Sequence, residues 1–198
     1  MLSLSGVCGD LELHPNSLHL PLLEWFVCKA SGANMLIRAI VAPNVAHFTY
    51  LPAKWETYDT ESIFLSFPAV HHVDLDRNIL VSVFQQGNIP NLGYWPNLES
   101  LTVHKTDARL LEFLGGLITW LEGRKNMQRP TLLVKLVFSD FYLDWSIITT
   151  LYEALHKRCI LEWGNIRLHS DIVFSSTADG PPWFVGAFRL IVTLVRQS

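Results

Sequence analysis

The stretch FPAVHHVDLD, Phe67 to Asp76, holds the densest group of side chains suited to acid–base or metal chemistry. Histidine and aspartate are common ligands of zinc and common general acids and bases. In an extended strand, however, the adjacent residues His71 and His72 point to opposite faces. His72, Asp74 and Asp76 share a face, but neighbouring members lie roughly 6.5 to 7 Å apart, which is wide for ligands of one ion. The stretch therefore predicts a polar strand face, with no metal and no other cofactor.

The surrounding sequence repeats the apolar part of this stretch. Four prolines, at positions 21, 43, 68 and 96, are each followed by apolar residues or cysteine at the second, fifth and seventh positions. These residues are Leu23, Phe26, Cys28; Val45, Phe48, Tyr50; Val70, Val73, Leu75; and Leu98, Leu101, Val103. A fifth copy after Pro130 fits with a shift of one residue, giving Leu133, Leu136 and Phe138. The prolines are 22, 25, 28 and 34 residues apart, and the first three spacings are typical of leucine-rich repeats.

The pattern L-x-x-L-x-L has a physical basis. Its first apolar residue packs in the turn that enters a strand, and the next two point to one face of that strand. Helix-like segments separate the copies, at 31–42, 60–67, 108–124 and 144–158, while MLSLSGV and CILEWGNIRL add a strand at each end. The sequence predicts an α/β leucine-rich-repeat solenoid over residues 1–170, a curved parallel sheet of about five to seven strands with helices on the convex side. Residues 171–198 are predicted to form an irregular C-terminal segment or cap.

The repeat frame also predicts which residues line the concave face. They are Trp25, Lys29, His47, Thr49, His72, Asp74, Asp76, Thr102, His104 and Lys135, with Lys135 placed in the row of Ser100. Aromatic, histidine and charged side chains on one sheet face suit recognition of a protein or peptide, with Trp25 as the anchor. A solvated face without a ligand is the alternative.

Other candidate sites are weaker. The sequence contains no GxSxG, GxxxxGK[ST] or GxGxxG motif, and Gly115 and Gly116 lie inside a helical run, where we expect them to permit close packing. Cys159 follows His156 at helical spacing without a third group to orient a catalytic pair. The basic residues Arg124, Lys125 and Arg129 are predicted to lie in a solvated loop. We therefore expect no enzymatic activity.

Composition excludes further classes of function. The 198-residue chain has a formal charge of -3 and a pI near 6.2, which gives no reason to expect nucleic-acid binding. Three distant cysteines predict a reducing compartment, cytoplasmic or nuclear. No apolar run is long enough to span a bilayer, and the N-terminus lacks the features of a secretory signal, so we expect a soluble protein without membrane partners.

Two segments of the chain resemble the leucine-rich C-terminal part of fungal F-box proteins. They are WPNLESLTV and LLEFLGGLITWLEGRKN. That family carries a PxLxxLxL strand, then a helix, then WLExR, and the resemblance covers most of Leu18 to Leu168. It implies a non-catalytic module that recruits a protein substrate to a ubiquitin ligase. An F-box binds the Skp1-type adaptor in that family; no F-box is found in this chain, so we expect adaptor binding only if one lies upstream. The alternative is a truncated or degenerate repeat fragment with a structural role or no independent activity.

Overall fold

The computed structural model describes residues 1–7, 12–52, 60–85, 95–106, 110–138 and 145–164. All of them belong to one compact unit, Met1–Arg167. The segment 171–198, predicted to be irregular, lies outside the described residues.

Nine strands and five helices alternate along the described parts of the chain. The strands are β1 (Leu2–Val7), β2 (Leu18–His19), β3 (Trp25–Ser31), β4 (Ile40–Val41), β5 (His47–Tyr50), β6 (His72–Asp76), β7 (Ser100–Thr106), β8 (Leu133–Phe138) and β9 (Ile160–Gly164). The helices are α1 (Asn34–Ala39), α2 (Thr60–Ser66), α3 (Arg77–Gln85), α4 (Leu110–Asn126) and α5 (Trp145–Leu155).

Seven of these strands form one parallel sheet in the order β1-β3-β5-β6-β7-β8-β9, and β2 pairs with β4 in a separate two-stranded sheet. The α/β class and the parallel sheet are confirmed. Among the described residues the sheet is neither closed nor curled. The strands predicted from MLSLSGV and CILEWGNIRL are present as β1 and β9.

The register of the sheet is fixed where the strands begin. Three backbone carbonyls, each just before or at the start of a strand, accept hydrogen bonds from two consecutive amides of the next strand, at 2.8 to 3.1 Å. The carbonyl of Glu24 accepts from Ala46 and His47, that of Ala46 from His71 and His72, and that of His71 from Glu99 and Ser100. Successive strands therefore start level with one another.

Burial alternates along these strands as the repeat frame predicts. Val73 and Leu75 are 0% and 2% exposed and belong to the core between the sheet and the helices, whereas His72 and Asp74 are only partly buried. A register wrong by one residue would reverse this order. The predicted frame is therefore confirmed for β6.

The fifth repeat follows a different frame from the one predicted. Pro130 precedes its strand by three residues, whereas each of the other four prolines precedes its strand by four. Val134 and Leu136 are consequently buried and in register with Leu101 and Val103, and Leu133 lies on the other face. The assignment of Leu133 to the turn before the strand was wrong: Leu133 is the first residue of β8, and Leu132 is the buried residue before it.

The helices α1, α2 and α5 lie within the predicted helical segments, α4 extends two residues beyond its segment to Asn126, and α3 was not predicted. The sequence RNILVSVFQ forms a helix directly after β6 and buries Ile79, Leu80 and Val83 against the core. An aspartate followed by apolar residues at helical spacing signals the start of a helix. This signal was missed because Asp76 was assigned to the strand.

Helices α3 and α4 approach closely at one glycine. A Cβ atom added to Gly116 would lie 2.9 Å from Cβ of Phe84 and 3.1 Å from its carbonyl oxygen. The neighbouring Gly115 is exposed and has no atom within 4 Å of such a Cβ. Of this adjacent pair of glycines, only Gly116 therefore serves close packing.

These two glycines make a matched pair for a stability test. We expect Gly116→Ala to lower the free energy of unfolding by about 1–3 kcal/mol, because α3 must move away. Gly115→Ala should raise it by about 0.5–1 kcal/mol, because alanine is the better helix former. Urea unfolding of both variants measures this, and equal effects would contradict the packing at Phe84.

Candidate protein-recognition surface

Nine of the ten residues predicted for binding lie on the sheet face opposite the helices. They are Trp25, Lys29, His47, Thr49, His72, Asp74, Thr102, His104 and Lys135, and we call this set the polar face. Each is exposed or partly buried and alternates with buried neighbours along its strand.

A row of stacked rings crosses the polar face at the strand starts. The parallel register pairs Trp25 with His47, and His47 with His72. The rings of Trp25 and His47 stack with centroids 3.5 Å apart and planes inclined by 12°, and those of His47 and His72 with centroids 4.4 Å apart. Nδ1 of His72 lies 2.8 Å from Oγ of Ser100, which extends the row by one strand. Since Trp25 remains 45% exposed, the row ends in a large accessible aromatic ring.

Two imidazoles of the polar face have a lowered pKa. Partial burial lowers the pKa of His47, and the neighbouring His72 lowers it further against the opposing effect of Asp74. Burial also lowers the pKa of His104, and it outweighs the nearby carboxylates of Asp74 and Asp76. A pKa below the ordinary value of 6.5 leaves both side chains mainly neutral at pH 7, so His47 does not place a full charge against Trp25 there.

A second row of the polar face lies two residues further along the strands and carries polar and charged side chains. Oγ1 of Thr49 donates to Oδ2 of Asp74 at 3.3 Å. Lys135 lies beside Thr102 and not in the row of Ser100, because of the frame of the fifth repeat. Its Nζ is 3.8 Å from Oε2 of Glu162 on β9, which sequence reasoning did not include in the site.

Asp76 was wrongly assigned to the polar face. It is 1% exposed, and its Oδ1 accepts the backbone amide of Asn78 at 2.9 Å, which makes it the N-cap of α3. Its Oδ2 lies 2.9 Å from Nζ of Lys105. Lys105 has a φ of 55° at the irregularity between β7 and β8, and it also donates to the carbonyl of Pro52 at 3.3 Å. Asp76 therefore positions a helix and is not available to a partner.

The sequence offered two kinds of candidate reactive site, a metal-binding cluster and the pair of Cys159 with His156. In the parts of the chain that are described, no three His, Cys, Asp or Glu side chains are arranged to hold a metal ion. Burial raises the pKa of the Cys159 thiol to about 11, so it is protonated at neutral pH. Its Sγ donates to the carbonyl of Leu155, while Nδ1 of His156 lies 2.7 Å from the carbonyl of Tyr152. The two side chains do not form a catalytic pair.

Comparison with known proteins gives no relative: a scan against protein-family models, a search of curated proteins and a search of solved structures each returned no significant match. Over the residues that the structure describes, no helix has the length and apolar character needed to cross a membrane.

The capping role of Asp76 can be separated from a surface role. We expect Asp76→Ala to lower the free energy of unfolding by about 1–2 kcal/mol, because α3 loses its N-cap. Asp76→Asn should retain most of the stability, because asparagine caps equally well. Asp74→Ala should stay within about 0.5 kcal/mol of the wild type. Chemical denaturation of the three variants checks this, and similar losses for Asp74→Ala and Asp76→Ala would refute the assignment.

The lowered pKa values also predict how stability depends on pH. Between the folded-state pKa of His47 and His104 and the ordinary value of 6.5, the unfolded chain binds more protons than the folded chain. Stability should therefore fall as the pH drops through 6.5. Urea unfolding at pH 7.5 and 5.5 measures how much free energy of unfolding is lost on acidification. This loss should be smaller in a His47→Gln, His104→Gln variant than in the wild type. The control is His14→Gln, which replaces an exposed side chain and should lose as much as the wild type. An undiminished loss in the double variant would contradict these pKa directions.

Proposed function

We propose that this chain is a non-catalytic protein-recognition module that binds its partner through the polar face. Its role resembles that of the substrate-recruiting repeats of fungal F-box proteins. The observation that carries the proposal is the stacked row of Trp25, His47 and His72, which holds an exposed tryptophan on a sheet face. Large aromatic side chains held rigidly in this way are the residues that most often dominate protein interfaces.

The proposal includes a leucine-rich-repeat solenoid with the polar face on its concave side. Support comes from the order of the parallel strands, which follows the chain from β1 to β9 with β2 and β4 set apart. Recurrent turns support it as well. The amides of Leu23, Val45 and Leu98, each two residues before a strand, donate to the carbonyl three residues earlier at 3.1 to 3.2 Å. These are the positions that the first apolar residue of L-x-x-L-x-L occupies.

The chemistry of the polar face favours a partner with an apolar centre and charges of both signs around it. The mainly neutral imidazole of His47 extends the apolar surface of Trp25, while the exposed Lys29 and the partly buried Asp74 and Lys135 supply charges beside it. Interfaces of this kind combine an aromatic centre with a polar rim. No role is assigned to a Skp1-type adaptor, since in the resembling family adaptor binding belongs to the F-box.

The test compares proteins recovered from a native cell extract by the wild type and by a Trp25→Ala, Asp74→Ala variant. Loss of an aromatic anchor costs about 2 kcal/mol or more, a weakening of roughly thirtyfold, so specific partners should be lost from the variant. Leu65→Ala is the control, because Leu65 is an exposed apolar residue on α2 and is not part of the polar face. If both variants recover the same proteins as the wild type, the polar face is not the binding surface.

A further inference from the structure

A cavity of about 300 Å³ lies at the ends of α4 and α5, beside the starts of β8 and β9. Six of its lining residues are basic or histidine: Arg124, Lys125, Arg129, His156, Lys157 and Arg158. We call this cavity the basic pocket. None of the residues that line it is acidic.

Arg124, Lys125 and Arg129 were predicted to lie in a solvated loop, and for Arg124 this prediction is wrong. Arg124 belongs to the last turn of α4 and is 2% exposed. Its Nη1 donates to the carbonyl of Trp95 at 3.1 Å, its Nη2 donates to the carbonyl of Leu98 at 2.7 Å, and its guanidinium lies 5.1 Å from the ring centre of Trp120. Its buried Nε has no hydrogen-bond partner among the described residues. A positive charge is thus fixed at the pocket wall without a carboxylate.

The end of α4 does not need these cations as caps. Its last carbonyls accept backbone amides at 3.0 to 3.1 Å, in the pattern of a Schellman motif. The acceptors are Gly123, Arg124 and Lys125, and the donors are Met127, Arg129 and Gln128 respectively. The side chains of Lys125 and Arg129 are therefore free of a capping role.

The charges of the basic pocket are poorly balanced. Arg158 contacts the carboxylate of Glu122, with Nε 2.8 Å from Oε1. Arg129 makes one long hydrogen bond, 3.4 Å from Nη1 to the carbonyl of Pro96, and its buried Nε has no partner among the described residues. Burial lowers the pKa of Arg124, and the like charge of Arg129 lowers it further. An anion in the basic pocket would relieve the repulsion between these like charges.

We propose that the basic pocket binds a small molecule that carries two or more phosphate groups. Guanidinium groups match phosphate oxygens with paired hydrogen bonds, and lysines add charge without demanding one geometry. The volume is at the lower end of the range for small-molecule sites, which suits a compact diphosphate better than a large organic ligand. The basic pocket shares no residue with the polar face, so this proposal does not depend on the proposed function.

The test is calorimetric titration of the full chain with inorganic pyrophosphate at low ionic strength. We expect saturable binding with one site, weakened at least about tenfold in a Lys125→Ala, Lys157→Ala variant, which corresponds to the loss of a charge-assisted contact. Both lysines are exposed, so the substitutions should leave the fold intact, and circular dichroism checks this. Lys29→Ala, Lys135→Ala removes the same charge from the polar face and should bind like the wild type.

Three results would overturn the proposal. One is the absence of saturable pyrophosphate binding at millimolar concentration. Another is an equal loss of pyrophosphate affinity in the two double-lysine variants, which would mean that only the net charge of the protein matters. The third is citrate binding as tightly as pyrophosphate, which would mean that the pocket does not select phosphate.

Discussion

Strands β5, β6 and β7 of the large sheet each begin against the carbonyl that precedes the neighbouring strand, and the other features of the molecule depend on this constraint. The carbonyls of Glu24, Ala46 and His71 each hold two consecutive amides of the next strand. This arrangement leaves no freedom for a strand to slip by one residue. A slip at β6 would bring His72 and Asp74 into the core and expose Val73 and Leu75, which the loss of buried apolar surface forbids.

The same constraint creates the row of rings. Side chains at equivalent positions of parallel strands lie about 4.8 Å apart, the distance at which planar rings can stack. Trp25, His47 and His72 occupy the first position of β3, β5 and β6, so their rings lie one above another. The backbone thereby holds the tryptophan in place without help from a buried pocket.

The strand starts also organise the helices. Arg124 of α4 reaches the carbonyls of Trp95 and Leu98 in the turn that leads into β7, and it lies against Trp120, one helical turn before it. The tryptophan and arginine of the segment WLEGR therefore act together to attach α4 to this turn. The unbalanced charge of the basic pocket follows from this attachment, because an arginine used in this way brings its charge below the surface.

The sequence was sufficient for the strands of the large sheet and for most of the polar face, because buried positions recur at a fixed spacing after each proline. It did not indicate β2 or β4. It was insufficient where a second element overrides that spacing. Asp76 follows Asp74 by two residues and would therefore point outward in a continuing strand. A helix begins directly after it, however, and its carboxylate caps that helix. Lys135 was misplaced because its strand starts one residue sooner after the proline. The burial of Arg124 has no signal in charge or periodicity, since it depends on carbonyls in the turn before β7, which is distant in sequence.

The most direct test of this account is the proton chemical shift of the His47 imidazole, measured by nuclear magnetic resonance in the wild type and in Trp25→Leu. With the indole ring 3.5 Å from the imidazole, the account predicts a strong upfield ring-current shift in the wild type that disappears in the variant. Unchanged shifts near the values of an exposed histidine in both proteins would show that β3 and β5 do not start level, and would contradict the register on which the polar face depends.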